Sequence, residues 1–386
     1  MNHFLDLSVA ALNKAGEELC GDQVRVLRTA DKTRVVLSDG LGSGVKASIL
    51  ATLTSGIIIT MLREDVPLVD VIETVAGTLP VCQMRKLAYA TFTIIEVDHR
   101  TYDVRIINFD NPPVFYFREG CLSDLKTWTE TILGRRMTFS EGRLQNGDFL
   151  AAISDGVWYA GLGQTYNFGW GWENVASYME AILSRRIRVA QTVVDEVMNH
   201  TRALYGDAPG DDASLVGLLL RGRQSAMVFT GPPIDKAQDA VYARRLLDFP
   251  GRRIVCGGTT ANIVARQVGK EVDVLLSSLD EDVPPMGRLP GVHLVTEGIL
   301  TLNQAIREIE AAQGDLVNLP DEHNGAIMLA LELLAADDIT FVVGQQVNAF
   351  YQNPKLPNSV SIRPNLVRRL VAMLQDLHKQ VTVQYC

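Results

Sequence analysis

A chain of 386 residues can bury more than one core, and 47% hydrophobic with 21% charged residues is the balance of an ordinary soluble globular protein. The formal charge of -9 argues against a general nucleic-acid binder, which carries a basic surface, although it permits a local basic patch. Cys20, Cys82, Cys121, Cys256 and Cys386 are scattered, odd in number and free of CxxC spacing, which fits a reduced, cytoplasmic compartment.

Met1 to Asp6 has no basic segment leading into an apolar one, so no signal peptide is expected. Residues 5–11 and 24–28 read as strands, with Thr33 to Leu37 a third. The stretch Ser38-Asp39-Gly40-Leu41-Gly42-Ser43-Gly44 then releases a helix from about Val45 to Arg63, with Ser43 placed to cap it. Apolar residues on more than one side of that helix predict burial between a sheet and another layer. Its segment Ile49 to Leu62 is the most membrane-like of the chain. Thr52, Thr54, Ser55, Gly56 and Thr60 interrupt it, and it falls short of the roughly 18 apolar residues of a span, so a buried helix and no membrane partner are expected.

A shorter helix is expected over Leu68 to Thr78, and neighbouring strands over Tyr89 to Val97 and Tyr102 to Asn108. Val114 to Phe117 reads as another strand, set off by the extended break Asn111-Pro112-Pro113. Residues 118–148 show little periodicity beyond the Asn146-Gly147-Asp148 turn. The apolar run from Phe149 to Ile153 leads into Ser154-Asp155-Gly156. Helices over Trp172–Ser184 and Val189–Leu204 follow, then a loop and the strand Ala213–Leu220. Strands, paired helices and a final strand make a layered α+β domain over residues 1–221, not a Rossmann alternation.

Arg221-Gly222-Arg223-Gln224 marks a boundary, and residues 225–386 read as a second, smaller α/β domain. Strands are expected at Ala226–Phe229, Arg253–Cys256, Val272–Leu276, His293–Val295 and Ile339–Val343. Helices are expected at Lys236–Leu247, after Gly257-Gly258-Thr259-Thr260, at Leu302–Ala311, at Gly325–Leu334 and from Pro364 to Lys379. Amides and hydroxyls of the Gly257 turn are suited to an anion, or serve as a tight strand-to-helix turn. It lacks the lysine of a P-loop and the spacing of a dinucleotide fingerprint. Asp337-Asp338-Ile339-Thr340 echoes Asp211-Asp212-Ala213-Ser214, but nothing near it supplies another Ser-Asp-Gly.

The chemistry-bearing pattern is a set of acids at strand edges: Asp22, Asp39, Asp155 and the pair Asp211-Asp212. Oxygen-only ligands select hard divalent cations, and the dispersed histidines show no zinc spacing. Without a cation such a cluster repels itself. Two cations, Mn²⁺ or Mg²⁺, relieve that repulsion; Asp39 would bridge them, Asp155 and Asp211 would serve one side, and the Gly40 carbonyl and Asp22 the other. Asp212 either orients Asp211 or joins it as a ligand. Each acid also has a bland alternative as a turn or surface carboxylate. Asn111 reads more readily as a structural turn residue than as a site residue, and Cys20 as a buried thiol.

Gly21-Asp22, Ser38 to Gly44, Asn111-Pro112-Pro113, Leu133-Gly134, Ser154-Asp155-Gly156 and Asp211-Asp212-Ala213-Ser214 resemble, in order and spacing, the SpoIIE-type branch of the PP2C (PPM) metal-dependent serine/threonine phosphatases. The resemblance covers about residues 4–220. It implies an α-β-β-α sandwich with paired metal ions at one end, Asp39 as the bridging aspartate, Gly40 as a carbonyl ligand, Asp155 and Asp211 on the first metal and Asp22 near the second. Two departures stand out. Leu41 occupies the place of the histidine that eukaryotic-type members use as an acid, and Gln23 replaces a small or aromatic residue.

The resemblance further implies a phosphorylated protein as substrate, in bacterial partner-switching signalling. With no room for a sensor before residue 4, residues 225–386 are the expected regulatory part, open to a small ligand or a protein regulator. A homodimer is left open. Two other functions fit the same acids: a phosphatase of a small-molecule phosphoester, and a non-catalytic scaffold that binds phosphoproteins. Retention of every acidic element counts against the scaffold.

Overall fold

The computed structural model describes residues 3–78, 90–163, 165–185, 189–280, 283–314, 316, 318–320, 322–346, 362–377 and 379–386. Cys82, and Tyr89 at the start of an expected strand, lie outside the described residues. The chain divides into two compact units, Met1–Gly222 and Arg223–Cys386.

In the first unit the strands are β1 (His3–Leu12), β2 (Asp22–Arg28), β3 (Lys32–Gly40), β4 (Ala90–Asp98), β5 (Asp103–Phe109), β6 (Phe115–Arg118), β7 (Cys121–Leu122), β8 (Lys126–Ile132), β9 (Arg135–Arg143), β10 (Phe149–Ile153) and β11 (Ala213–Gly222). The helices are α1 (Gly44–Arg63), α2 (Leu68–Thr78), α3 (Asp155–Trp158), α4 (Trp172–Leu183) and α5 (Ala190–Leu204). Two antiparallel sheets form, one ordered β1-β11-β10-β6-β7 and the other β2-β3-β4-β5-β9-β8.

Strand periodicity sorts the side chains into layers. On β3, Val35 and Leu37 point into the core between the sheets, shared with Val216, Leu218 and Leu220 of β11. Val36, between them, points the other way, into the core under α1 and α2. The opposite face of β11 carries Leu215 and Leu219 into a third core with Val193, Val194 and Val197 of α5. Three cores between four layers make this an α-β-β-α sandwich. Gly217 lets α5 close onto β11, because a Cβ there would stand 2.7 Å from Val194.

Several local expectations are corrected. Ser43 occupies the N-cap of α1, but its side chain makes no cap hydrogen bond; its hydroxyl turns to Glu17 Oε1 at 3.4 Å instead. Helix α1 is, among the described residues, the one long and apolar enough to cross a membrane. It buries Ala47, Ala51, Ile58 and Leu62 and leaves Val45, Ile49 and Leu53 half or more exposed, because it is an outer layer, packed on its sheet and beside α2 among the described residues. Residues 118–148 hold the unexpected hairpin β8–β9. Its turn is Leu133-Gly134, both with positive φ.

Asp148 is buried at the other end of that stretch. It accepts from Tyr116 Oη at 2.7 Å, from Arg118 Nη2 at 3.0 Å and from the Gln145 amide at 2.8 Å. Tyr116→Phe removes one donor from a buried carboxylate, and a loss of about 1–2 kcal/mol in urea-unfolding stability is expected. An unchanged midpoint would show the other two donors to be sufficient.

The second unit contains β12 (Ser225–Thr230), β13 (Arg252–Cys256), β14 (Asp273–Leu275), β15 (Met286–Arg288), β16 (Leu294–Thr296), β17 (Asp338–Val343) and β18 (Gln380–Tyr385). Its helices are α6 (Asp239–Leu247), α7 (Gly258–Val268), α8 (Ile299–Ala311), α9 (Gly325–Ala335) and α10 (Ile362–Asp376). The sheet is ordered β14-β15-β16-β13-β12-β17-β18, with its last five strands mutually parallel and β14 and β15 antiparallel at one edge. Parallel strands covered on both faces are apolar throughout. On β12, Ala226 and Val228 enter the core with α8, α9 and α10, while Met227 and Phe229 enter the core with α6 and α7. Strands β15 and β18 were not expected. The Asp337-Asp338 echo is structural: Asp338 pairs with Arg223 at 3.0 Å and Asp337 accepts the Gln224 amide at 2.8 Å.

Candidate metal centre

Asp22 opens β2 and stands directly opposite Asp39, near the end of β3, in the antiparallel ladder. Directly opposed residues share a sheet face, so both carboxyls project from the same spot. Asp155 is the first residue of α3, just past β10, and Asp211 and Asp212 run straight into β11. Strands β10 and β11 are antiparallel neighbours, so the exit of one and the entry of the other coincide. Ser154 and Ser214 tie them together, through Ser154 N–H to the Ser214 carbonyl at 2.9 Å and Ser214 N–H to Ser154 Oγ at 2.8 Å. Each sheet thus delivers acids to the same end of the sandwich.

Glycines let the two sets meet. A Cβ on Gly21 would stand 2.8 Å from Asp212 Oδ2, and one on Gly156 would overlap the Asp212 carbonyl. A Cβ on Gly40 would overlap the Ala47 carbonyl of α1. Tyr205 Oη donates to the Gly156 carbonyl at 2.7 Å and fixes the turn from behind. Gly156→Ala is expected to cost about 1–3 kcal/mol of unfolding stability, the usual range for forced overpacking, because Asp212 must retreat. Urea denaturation reads the loss, and a stable Gly156→Ala protein would refute the close approach.

The electrostatics are those of anions crowded without a counter-charge. Burial pushes Asp39 up to about 9, helped by the charges of Asp22, Asp155 and Asp211 and by a hydrogen bond shared with Asp155. Asp22 is pushed up to about 7, chiefly by burial and then by Asp212 and Asp155, against the opposing pull of the Ser154 and Ser214 hydroxyls. Asp155 and Asp211 are raised as well, burial leading in both. Asp22 is 3% exposed, yet neither of its oxygens completes a well-formed hydrogen bond, and Asp212 Oδ2 is likewise buried without a partner. Oxygens left in that condition are costly unless something positive binds them.

The residues therefore fit a hard divalent cation in donor type, charge and unmet bonding. Among the described residues no three His, Cys, Asp or Glu side chains form a ready cage around a single point. The donors come from the start of β2, the end of β3, the start of α3 and the turn before β11.

Neighbours without any motif complete the centre. The Lys14 amide donates to Asp212 Oδ1 at 3.0 Å, and the Lys14 charge favours the Asp211 anion. The Asp212 amide donates to Asp211 Oδ1 at 3.0 Å. Cys20 lies beside the acids, its thiol pushed up to about 12 by burial first and by Asp22 and Asp212. Asn111 bonds Thr91, which pairs with Asp39 across the ladder, and donates to Thr93 Oγ1 at 3.0 Å. Asn111 thus buttresses the strand beside Asp39.

The family model described as stage II sporulation protein E (SpoIIE) matches residues 29–221. The PP2C phosphatase domain with a fragment of the regulatory domain of the cell fate determinant SpoIIE from Bacillus subtilis is 18% identical, with a TM-score of 0.49. That alignment covers 58% of this chain and 65% of that one, just under two thirds of its length. The RsbU and RsbW domains of a Mycobacterium tuberculosis protein align at 16% identity and a TM-score of 0.48, over 63% of this chain and 68% of theirs. The SiaA PP2C domain of Pseudomonas aeruginosa aligns at 17% and 0.44, over 55% and 85%. A search of curated proteins finds no match. The family match runs from the turn before β3 to the end of β11, half of the chain, and it contains Asp39, Asp155, Asp211 and Asp212: this chain belongs to the SpoIIE family.

Proposed function

We propose that the unit Met1–Gly222 is a metal-dependent phosphatase that hydrolyses phosphoserine and phosphothreonine in a partner protein. The observation that carries the reading is the buried, mutually repelling set Asp22, Asp39, Asp155 and Asp211, with the Asp22 carboxylate and Asp212 Oδ2 buried and short of well-formed hydrogen bonds. Asp22, Asp39, the Gly40 carbonyl, Asp155, Asp211 and Asp212 would hold two ions, Mn²⁺ or Mg²⁺. Such a pair supplies an acidified water and neutralises phosphoryl charge when bound.

The chain's own residues set the stage for that chemistry. Asp39 sits where the charges of three other acids converge, which suits it to the shared position. Asp212 has Oδ1 fixed by the Lys14 amide, so Oδ2 is the atom it turns inward, and its own amide steadies Asp211. Asp155 begins a helical turn, where the backbone favours an anion. Leu41, two residues after Asp39 and 42% exposed, carries no transferable proton, so that side chain does not protonate the leaving group.

A phosphoprotein substrate in a signalling circuit rests on membership of the SpoIIE family. The described cysteines Cys20, Cys121, Cys256 and Cys386 are free thiols, which supports a cytoplasmic setting. Residues 225–386 are then the regulatory part.

Phosphate release from a mixed phosphoserine and phosphothreonine peptide library, with Mn²⁺, Mg²⁺ or chelator, tests the reading. Turnover that requires a divalent cation and is lost in Asp155→Asn is the expected result. Turnover that persists in chelator, or an inert protein with both metals, would sink it.

A further inference from the structure

The second unit has a topological reversal that the carboxylate centre does not use. The chain lays down β12, then β13 and β16 on one side of it, and then returns to place β17 and β18 on the other. The direction of winding therefore reverses between β12 and β17. In open parallel sheets that reversal leaves a crevice beyond the carboxyl ends of the strands, where ligands settle.

We infer that this crevice, where the Gly257-Gly258-Thr259-Thr260 start of α7 meets Thr230-Gly231, Glu297-Gly298 and Arg363, binds a phosphorylated small molecule of the nucleotide class.

The start of α7 supplies the phosphate seat. Gly257 has φ +119° and no side chain to cap the helix, so the leading amides keep no partner from the helix itself. The neighbouring helices begin differently. Glu297 Oε2 accepts the Leu300 amide of α8 at 3.0 Å, and Asn324 Oδ1 accepts the Ala326 and Ile327 amides of α9 at 3.0 Å each. An open helix start favours an anion through both its amides and its dipole.

Buried hydroxyls provide independent support. Thr260 is 1% exposed and its Oγ1 has no hydrogen-bond partner. That oxygen lies 3.4 Å from where a Gly257 Cβ would stand, so it is turned back toward the mouth of the helix. Thr230, fully buried at the end of β12 and paired with Cys256 in the ladder, also has an unpartnered Oγ1. Two sequestered hydroxyls, one at the end of β12 and one in the first turn of α7, are donors awaiting an acceptor.

Glycines bring these turns together, and charges complete the recognition. A Cβ on Gly298 would stand 3.4 Å from the Gly257 Cα, so the turns after β13 and β16 are in backbone contact. Arg363 Nη1 donates to the Gly344 carbonyl at 3.3 Å, and a Cβ on Gly231 would collide with its guanidinium. Arg363 thus stands at the winding reversal itself. The buried Cys256 senses Arg363 and Glu297 as opposing charges, so both lie within electrostatic range of the same strand end. A cation and an open helix start beside a carboxylate ask for a ligand with both phosphate and sugar hydroxyls. Glu297 would accept from the hydroxyls and would repel a bare phosphate.

Titration calorimetry of the full chain with ADP, inorganic phosphate and adenosine tests this. Chelator is present throughout, so no cation in the first unit attracts phosphate, and the result does not depend on whether that unit is catalytic. ADP is expected to bind at least about tenfold more tightly than either of the other two. Thr260→Val and Arg363→Gln should each weaken ADP about fivefold or more, while Thr260→Ser, which keeps the hydroxyl, should bind as the parent does. Thermal unfolding confirms that each variant is folded. Absence of ADP binding at millimolar concentration overturns the inference. So does adenosine binding equal to that of ADP, or ADP binding unchanged in both Thr260→Val and Arg363→Gln.

Discussion

Asp39→Asn is expected to lower metal-dependent phosphate release by on the order of a thousandfold, about 4 kcal/mol of barrier, and at the same time to stabilise the metal-free protein. The two effects share one cause. Asp39 faces Asp22 across the ladder and feels the charges of Asp22, Asp155 and Asp211. Its carboxylate is thus the anion best placed to be shared between two cations, and also the most frustrated one when no cation is there. Asparagine keeps the shape and removes the charge. Peptide turnover with Mn²⁺ and thermal unfolding in chelator at pH 8 read the two effects on one preparation. A variant that loses activity and is also less stable in chelator would contradict the charge argument, and one that keeps its activity would contradict the site.

Without metal, stability should fall as pH rises between about 4 and about 9, by up to about 1.4 kcal/mol per pH unit for each extra proton that the folded state holds. The sign follows from the direction of the shifts. Asp39 is raised to about 9 and Asp22 to about 7, both above the range of an exposed carboxyl. The folded protein therefore keeps protons that the unfolded chain has released. Its advantage is complete below the ordinary carboxyl range and is lost as pH climbs through the raised values. Since these acids interact, they titrate as a group and not one by one.

Saturating Mn²⁺ or Mg²⁺ should reverse the slope, because the cation competes with the protons for the same oxygens. Urea midpoints at pH 5 and pH 8.5, with chelator and with metal, give all four values needed. A midpoint in chelator that does not move between the two pH values, or that moves equally in Asp39→Asn, would remove the basis of the prediction.

The layered α+β character was legible because burial stamps a period on the chain: Val35, Val36 and Leu37 alternate between two cores. The hairpin β8–β9 was not, because β8 lies at the sheet edge and is exposed or half-exposed along its whole length, so no buried face marks it. Strand β18 escaped notice for the same reason, as an edge strand with little burial. Helix α3 has four residues, too few for any helical period.

At the centre, each acid could be read from its glycine-rich surroundings. That Asp22 and Asp39 are opposed in register, and that β10 and β11 bring Asp155 to Asp211, is a matter of strand pairing that local sequence does not encode. Lys14 had no signal at all, because its contact with Asp212 is made by a backbone amide that any residue but proline would provide. Ser43 carried a misleading one: a serine before a helix is a good cap on average, but here Glu17 takes its hydroxyl.

The pairing of β1 with β11, continuous from His3 opposite Gly222 to Leu12 opposite Ala213, sets a schedule for how this unit comes into being. Those partners are separated by nearly the whole length of the unit, so the pairing is slow to find and is expected late. On a ribosome, β1 must wait with an unsatisfied edge until β11 has emerged. Asp211 and Asp212 immediately precede β11, so the last acids arrive with the last strand. A nascent chain therefore has no finished set of acids with which to capture a cation, so the proposed ions are expected to load onto the folded protein and not to template its folding.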